Sequence, residues 1–448
     1  MTKLMPTGLP LRLFLLLLLL PAFSRGQASA PNTAPPPAAV AFTEVHVLSM
    51  VPGQSLSAPQ TVLVENDRIT AIGPRLKLPK GTRIIRGRGG YLMPGLADMH
   101  VHLARGQAGE LPVHQQLRLE LAAGVTTVRS MQGRPADLAL RDSVRRGQLT
   151  SPDLYLSRPL PNADSTFTVA ATRELLRQYK AEGWDFIKYL SGLTPAQFQQ
   201  VAELCREAGL PFAGHYYANS AEQSAGLRSL EHFAALLSAH RKDSTAVGAQ
   251  LALLKSRGQF LCPTLSYHFL TLPGNQPAEL ARRHGLSHVP EPVRVAWQKE
   301  AQQLDADYLT YLQGDTAKLG RLRRGAPATR RTYLRLLGRA YHQGLPLLIG
   351  PDTHAYNVPG FAMLEEMRLF AQAGLPTEAI LRAATANAAQ YFGTDDWGTV
   401  QPGKRANLVL LAQNPLANLD NMQTVVGTMC GGRWYRQQDL LSGPKPSK

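Results

Sequence analysis

The sequence predicts a TIM-type (β/α)8 barrel that carries a small β-sandwich assembled from both chain ends, and three observations predict it. Strand-like and helix-like segments alternate eight times between residues 93 and 394. Short strand-rich segments flank that alternation at 41–92 and 395–440. Several inner strands end in histidine, lysine or aspartate, the side chains an enzyme barrel presents at the C-terminal rim of its sheet.

The elements follow in order. "LFLLLLLLPAF", residues 13 to 23, comes after Lys3 and Arg12 and before the small residues "ASA". Its apolar run is too short to span a bilayer and fits a secretory signal peptide over 1–30, with a proline-rich spacer over 31–40. A periplasmic or extracellular location is expected, with no membrane contact after cleavage. Alternating apolar and polar residues in "FTEVHVLSM", "QTVLVENDRITAIG" and "RIIRGRGGYL" predict antiparallel strands. The pattern returns in "GTVQPGKRANLVLLAQNPL" and "MQTVVGTMCGGRWYR", so the two ends pair into one sandwich.

Between them the period changes. "GLADMHVHL", "VTTVRSM", "DLYLSRP", "DFIKYL", "PFAGHYY", "SLEHF", "FLCPTL" and "PLLIGPDTH" read as eight strands. Helices separate them, several ending in the glycine expected of a C-cap, and "SAEQSAG" reads as a short one. Residues 266–328 exceed an ordinary connection by about 60 residues and read as a lid over the strand ends.

Composition excludes some functions. The formal charge of +16 falls to +13 once Lys3, Arg12 and Arg25 leave with the signal peptide. The basic residues are spread along the chain without aromatic interleaving or a nucleic-acid motif, so no nucleic-acid partner is expected and solvated helix faces explain them. Cys205, Cys262 and Cys430 are few and widely spaced. They form neither a disulfide framework nor a metal knuckle and read as buried thiols.

The strand ends carry the chemistry. His100 and His102 alternate onto one face of the first strand, Lys188 ends the fourth, His215 the fifth, His232 the sixth and Asp352 the eighth. Four imidazoles, a carboxylate and a lysine at one rim can seat two divalent ions. Histidine and carboxylate donors suit zinc first, and also manganese, cobalt or nickel.

With these motifs in order, "LMPGLADMHVH", "GVTTVRSM", "DFIKYL", "SLEHF", "GPDTH", "ILRAATANAAQYFG" and "GTVQPGKRANLVLLAQNPL", the chain resembles the metal-dependent amidohydrolase superfamily. The likeness is to its imidazolonepropionase-like and dipeptidase-like members. The resemblance implies that His100, His102 and Asp352 hold a buried ion and His215 and His232 a more exposed one. It implies that Lys188 bridges them as a carbamate, formed when its free amine adds carbon dioxide. A strand-end lysine paired with Asp185 is the plain alternative. A water shared by two ions would lose a proton near neutral pH and attack a polarised carbonyl, with Asp352 taking the proton and passing it to the leaving amine.

Other residues have lesser roles. Tyr267, His268 and His354 sit where they would touch substrate, Tyr216 points to the core, and Arg129 and Arg158 are candidates for clamping a substrate carboxylate. The remaining histidines, His46, His114, His240, His284, His288 and His342, read as surface residues. The chain departs from its relatives at Asn407 and Ser130, where acidic residues are usual. Deamination is disfavoured because no glutamate stands three residues after His215 or His232. The expected activity is hydrolysis of an amide-type C–N bond in a dipeptide, N-acyl amino acid or cyclic amide. Lactone or phosphoester hydrolysis, or an inactive metal-holding binding protein, are the alternatives. The partner is a small molecule, and a homo-oligomer is left open.

Overall fold

The computed structural model describes residues 39–54, 56–160, 167–217, 220–275 and 277–442. The expected signal peptide and most of the expected spacer lie outside the described residues. The first strand, β1 (Ala39–Val47), already begins within residues 31–40, and it is followed by β2 (Gln60–Glu65), β3 (Arg68–Gly73), β4 (Arg83–Arg86) and β5 (Tyr91–Pro94). Glu44 takes φ 57° where the β1–β2 register shifts. This bulge keeps Val40 and Phe42 before it, and Val45 and Val47 after it, on the buried side.

The barrel comes next. Its strands are β6 (Leu96–Val101), β7 (Val125–Ser130), β8 (Asp153–Pro159), β9 (Phe186–Tyr189), β10 (Phe212–His215), β11 (Ser229–Glu231) and β12 (Phe260–Cys262). All seven pair parallel with their neighbours in chain order. The helices between them are α1 (Val113–Ala122), α2 (Pro135–Arg145), α3 (Val169–Glu182), α4 (Pro195–Glu207), α5 (Ala234–Lys242) and α6 (Ala246–Ser256). Local chemistry sets several ends: Thr168 caps α3, Gly183 closes it at φ 90°, and Thr194 with Gln197 forms a capping box on α4.

Two expectations about elements change. "SAEQSAG" forms turns, not a helix, before β11. The eighth strand is reduced to an extended segment: Leu348 N donates to Leu261 O, and Met99 N donates to Ile349 O. Those two bonds join it to β12 and to β6, closing the barrel. Pro346 and Pro351 bracket the segment and lack the N–H groups a longer ladder needs. Gly350 lets it approach, because a Cβ there would lie 2.5 Å from His100 N.

The long connection after β12 is helical: α7 (Leu265–Leu270), α8 (Pro277–Leu280), α9 (Glu291–Tyr311) and α10 (Thr316–His342). The expected lid boundary at 328 is not a break. α10 runs through Pro327 from the insertion into the seventh barrel helix. After α11 (Ala362–Gln372), α12 (Thr377–Ala383) and α13 (Ala386–Phe392), the chain returns through β13 (Leu408–Leu411), β14 (Val425–Cys430) and β15 (Arg433–Arg436) and ends in α14 (Gln437–Leu441).

The end strands form one hydrogen-bonded path, β15-β14-β13-β5-β1-β2-β3, with β4 alongside β1. Antiparallel β5–β13 pairing, Leu92 opposite Leu410, joins the two chain ends. The two halves share an apolar cluster in which Val40, Phe42, Val62 and Ile69 meet Leu408, Leu410 and Met429, and Trp434 meets Phe42 edge-on at 5.2 Å. Cys205, Cys262 and Cys430 are buried free thiols. Among the described residues no helix is long and apolar enough to cross a membrane.

Candidate active site

Each rim residue arrives at the end of a barrel strand or just past it. The rings of His100 and His102 lie 5.6 Å apart, those of His100 and His232 5.0 Å, and those of His215 and His232 5.0 Å. Asp352 reaches the first pair, with Oδ2 3.6 Å from His100 Nε2 and Oδ1 3.3 Å from His102 Nε2. His100, His232 and Asp352 each offer a ligand atom within 4.8 Å of the other two. Lys188 is buried, and its Nζ has no hydrogen-bond partner. All six expected residues are therefore gathered at one rim. Asp185 does not hold Lys188, since it pairs with Arg141 at 2.7 Å.

Backbone strain aims part of this set. His232 (φ 70°), Thr264 (φ 50°) and Asp352 (φ 64°) all occupy the left-handed region, which β-branched and bulky residues adopt only where surrounding structure imposes it. Thr264 Oγ1 lies 2.6 Å from His232 Nδ1 and leaves Nε2 free to face the cluster. Asn357 Nδ2 donates to the carbonyls of Pro351 and Asp352 and so fixes the turn that carries the carboxylate.

Beneath the rim lies a pair that sequence reading missed. Glu231 Oε2 is 2.9 Å from His100 Nδ1. Both Glu231 oxygens accept from Arg129 Nη2 at 2.9 Å, and Ser229 donates to Oε1. Arg129 is fully buried, its other donors spent on Met99 O and Ser229, its plane over Tyr391. It is thus not a substrate clamp. Arg158 is not one either: its guanidinium stacks over Tyr179 and Trp184 on the helix side of the sheet. Strict alternation sends Glu231 and His232 to opposite faces. The left-handed turn at His232 brings both to the same centre, a geometry with no mark in "SLEHF" beyond the adjacent acid.

The electrostatics are those of a donor set. Burial pushes the Lys188 ammonium down to about 8, with Glu231 and Asp352 opposing and Arg129 adding to the fall. Burial and then the Lys188 charge lower His215 to about 4, and burial with neighbouring His100 and Lys188 takes His232 well below its usual range. Burial alone would raise the Asp352 carboxyl, but His100, His102 and Lys188 outweigh it and hold it at about 2. Neutral imidazoles, an ionised carboxylate and an amine that gives up its proton easily are the protonation states metal ligation needs. The donors His100, His232 and Asp352 fit a divalent ion.

The three expected substrate contacts stand at the mouth. The Tyr267 ring is 6.0 Å from His232 and 5.4 Å from His354. His268 lies edge-on to His232 at 5.4 Å and stacks on Tyr333 of α10. His354 Nε2 is 3.4 Å from Glu300 of α9, which ties the insertion to the rim. Beside them opens a cleft of about 450 Å³ lined by His102, Arg105, Gln132, Trp297 and His354 among others. Tyr216 is buried as expected. Two histidines read as surface residues, His284 and His288, instead pack against Phe361. Asn407 bridges Asp153 and the Gly431 amide in the end sheet, far along the chain from the rim residues.

Comparison with known proteins agrees with this architecture. The chain is similar to adenine deaminase 3 of Rhizobium meliloti (strain 1021), 26% identical over 191 residues, 39% of this chain and 31% of that protein. It is 36% identical over 82 residues to the imidazolonepropionase of Vibrio cholerae serotype O1 (strain ATCC 39541 / Classical Ogawa 395 / O395), 18% of this chain and 20% of that one. The matches thus span only a fifth to a third of those relatives' lengths. The solved structure of a Xaa-Pro dipeptidase with methionine bound in its active site superimposes with a TM-score of 0.65 at 17% identity, over 89% of this chain and 100% of that one, a likeness of fold. The amidohydrolase family model matches residues 91–435. By that match, which takes in the whole barrel and the end-sheet strands β5 and β13 to β15, the chain belongs to the amidohydrolase family.

Proposed function

We propose that this hydrolase is a secreted, binuclear metal enzyme that cleaves an amide-type C–N bond in a small substrate such as a dipeptide, an N-acyl amino acid or a cyclic amide. One observation carries the reading: a buried lysine amine, without a hydrogen-bond partner among the described residues, whose charge is felt by His100, His215, His232 and Asp352. An amine in that position is costly unless it is used. Carboxylation of Lys188 would turn the orphan cation into an anionic bridge between two ions, His100, His102 and Asp352 holding one and His215 and His232 the other. Secretion is supported by the apolar run at residues 13–23 and its flanking residues.

Divalent ions held there, zinc first, would supply an acidified water and polarisation of the scissile carbonyl. The rest is work for this chain's side chains. Asp352, ionised throughout the neutral range, accepts the proton of the attacking water and delivers it to the leaving nitrogen. Glu231 fixes the tautomer of His100 by accepting from Nδ1, and Thr264 orients His232. Tyr267 and His354 orient the substrate from the mouth, and α9 limits water above it.

The deciding experiment loads chelator-stripped protein with zinc and bicarbonate and screens dipeptides and N-acyl amino acids. About two equivalents of metal with chelator-sensitive hydrolysis is the expected result. A single tightly held ion with no turnover on any amide, lactone or phosphoester would instead mark a binding protein.

A further inference from the structure

Helix α10 carries eight lysines and arginines and neither aspartate nor glutamate. At about 100° per residue, its buried side chains Leu319, Ala326, Tyr333, Leu336, Leu337 and Ala340 occupy a little over a quarter of the circumference. Arg321, Arg324, Arg331 and Arg335 fall within an arc of roughly 80° on the opposite side, along roughly 21 Å of helix. All four are exposed, and among the described residues none has a carboxylate partner. Other arginines of the helix do find partners: Arg323 pairs with Asp305 across the helical hairpin, and Arg330 donates to Asn275 and to Phe269 O. The helix therefore spends its inward and lateral cations on the fold and leaves one straight outward row unspent.

That row has a cost. Arg321 with Arg324, and Arg331 with Arg335, are like charges at neighbouring positions on one face, an arrangement that weakens a helix. At the turn leading into α10, Tyr311 stands 82% exposed, an amphipathic ring of the type that settles at a headgroup boundary. Tyr333, between Arg331 and Arg335, is buried on the opposite side, so no aromatic ring of α10 shares the arginine face as base stacking would require. A convex rod offers a flat, extended partner more contact than it offers a compact acidic loop.

Against the expectation of no membrane contact after signal cleavage, we propose that the outer face of α10 docks the enzyme on an anionic phospholipid surface. The contact is peripheral and electrostatic, made by the Arg321–Arg335 row with the exposed Tyr311 at the end of α9 as a further contact, and it leaves the barrel rim free for substrate. Because it uses none of the rim residues, it stands or falls separately from the reaction proposed above.

The test is co-sedimentation of the full metal-loaded chain with vesicles of phosphatidylcholine containing about one-third phosphatidylglycerol. Each lysine or arginine at such a surface multiplies partitioning by roughly five-fold. The variant Arg321→Gln/Arg324→Gln/Arg331→Gln/Arg335→Gln is expected to bind at least about ten-fold more weakly, with a thermal midpoint equal to the parent's or slightly higher, since the like-charge repulsion is relieved. Binding by the parent should vanish at about 0.5 M salt and on pure phosphatidylcholine. Equal partitioning of parent and variant, equal binding to neutral vesicles, or retention on a soluble polyanion such as heparin without vesicle binding would each overturn the assignment.

Discussion

At the residue scale, the proposed reaction would divide the labour between Asp352 for chemistry and Glu231 for support. Asp352→Asn keeps the shape and an oxygen donor but removes the proton acceptor. It should retain bound metal by elemental analysis while kcat falls by on the order of 10³, and full activity would remove Asp352 from the proton path. Glu231 touches no substrate; it acts through His100. Glu231→Gln should weaken metal affinity by roughly 10–100-fold. It should also leave the Arg129 guanidinium buried without a counter-charge, which costs about 3–5 kcal/mol in denaturant unfolding. Adding Arg129→Met removes that stranded charge, so the double variant should regain stability but not metal affinity. A double variant that regains both would show that Glu231 matters only as the partner of Arg129.

At the scale of elements, the insertion after β12 is tied down at three points. Arg283 donates to Ser266 Oγ and to Asn357 Oδ1, and Asn357 in turn holds the carbonyls on either side of the strained Asp352 turn. Glu366 of α11 accepts from the amides of Leu265 and Ser266 and so sets the start of α7, which carries Tyr267 and His268. Arg283→Met should therefore loosen both substrate side chains and the Asp352 turn. We expect kcat/KM to fall about ten-fold while metal content is unchanged, together with faster proteolytic nicking between α8 and α9. Glu300, more than half exposed, makes a weaker tie to His354. Glu300→Gln should change KM while moving stability by less than about 0.5 kcal/mol.

At the scale of the whole molecule, the site taxes the fold, and the tax depends on pH. Burial holds His215 and His268 at about 4 and lowers His100 and His232 as well. In the unfolded chain the same imidazoles titrate near 6.5, so between these values the unfolded state binds more protons and stability falls as pH drops. Asp352, held at about 2, acts in the same direction at lower pH. Burial raises the Glu366 carboxyl to about 8 and raises Asp98 and Glu120 as well, which opposes that loss, so the histidines' share is read against a variant. Metal-stripped parent should lose more thermal stability from about pH 6.5 toward about pH 4 than metal-stripped His215→Gln/His268→Gln, followed by calorimetry. Metal loading should not flatten the loss, because ions that need neutral rings bind more weakly as pH drops. Equal losses in parent and variant over that range would mean that these imidazoles are not buried as neutral groups.

Much of this was legible in the chain alone. Alternating β and α periods and glycine caps determined the barrel, two strand-rich ends determined the shared sheet, and HxH, Lys188, His215, His232 and Asp352 announced themselves as polar residues ending apolar runs. These signals are local, since side-chain periodicity is a property of a few residues. What only the tertiary structure decided is how buried charges are answered. Arg129 reads as a free cation, yet it is spent on Glu231 across the barrel. Glu231 reads as pointing away from His232, until a left-handed turn brings both to one centre. The row of arginines on α10 is scattered in sequence and becomes a surface only when the opposite face packs. Pairing and burial depend on residues a hundred or more positions away, and no local pattern records them.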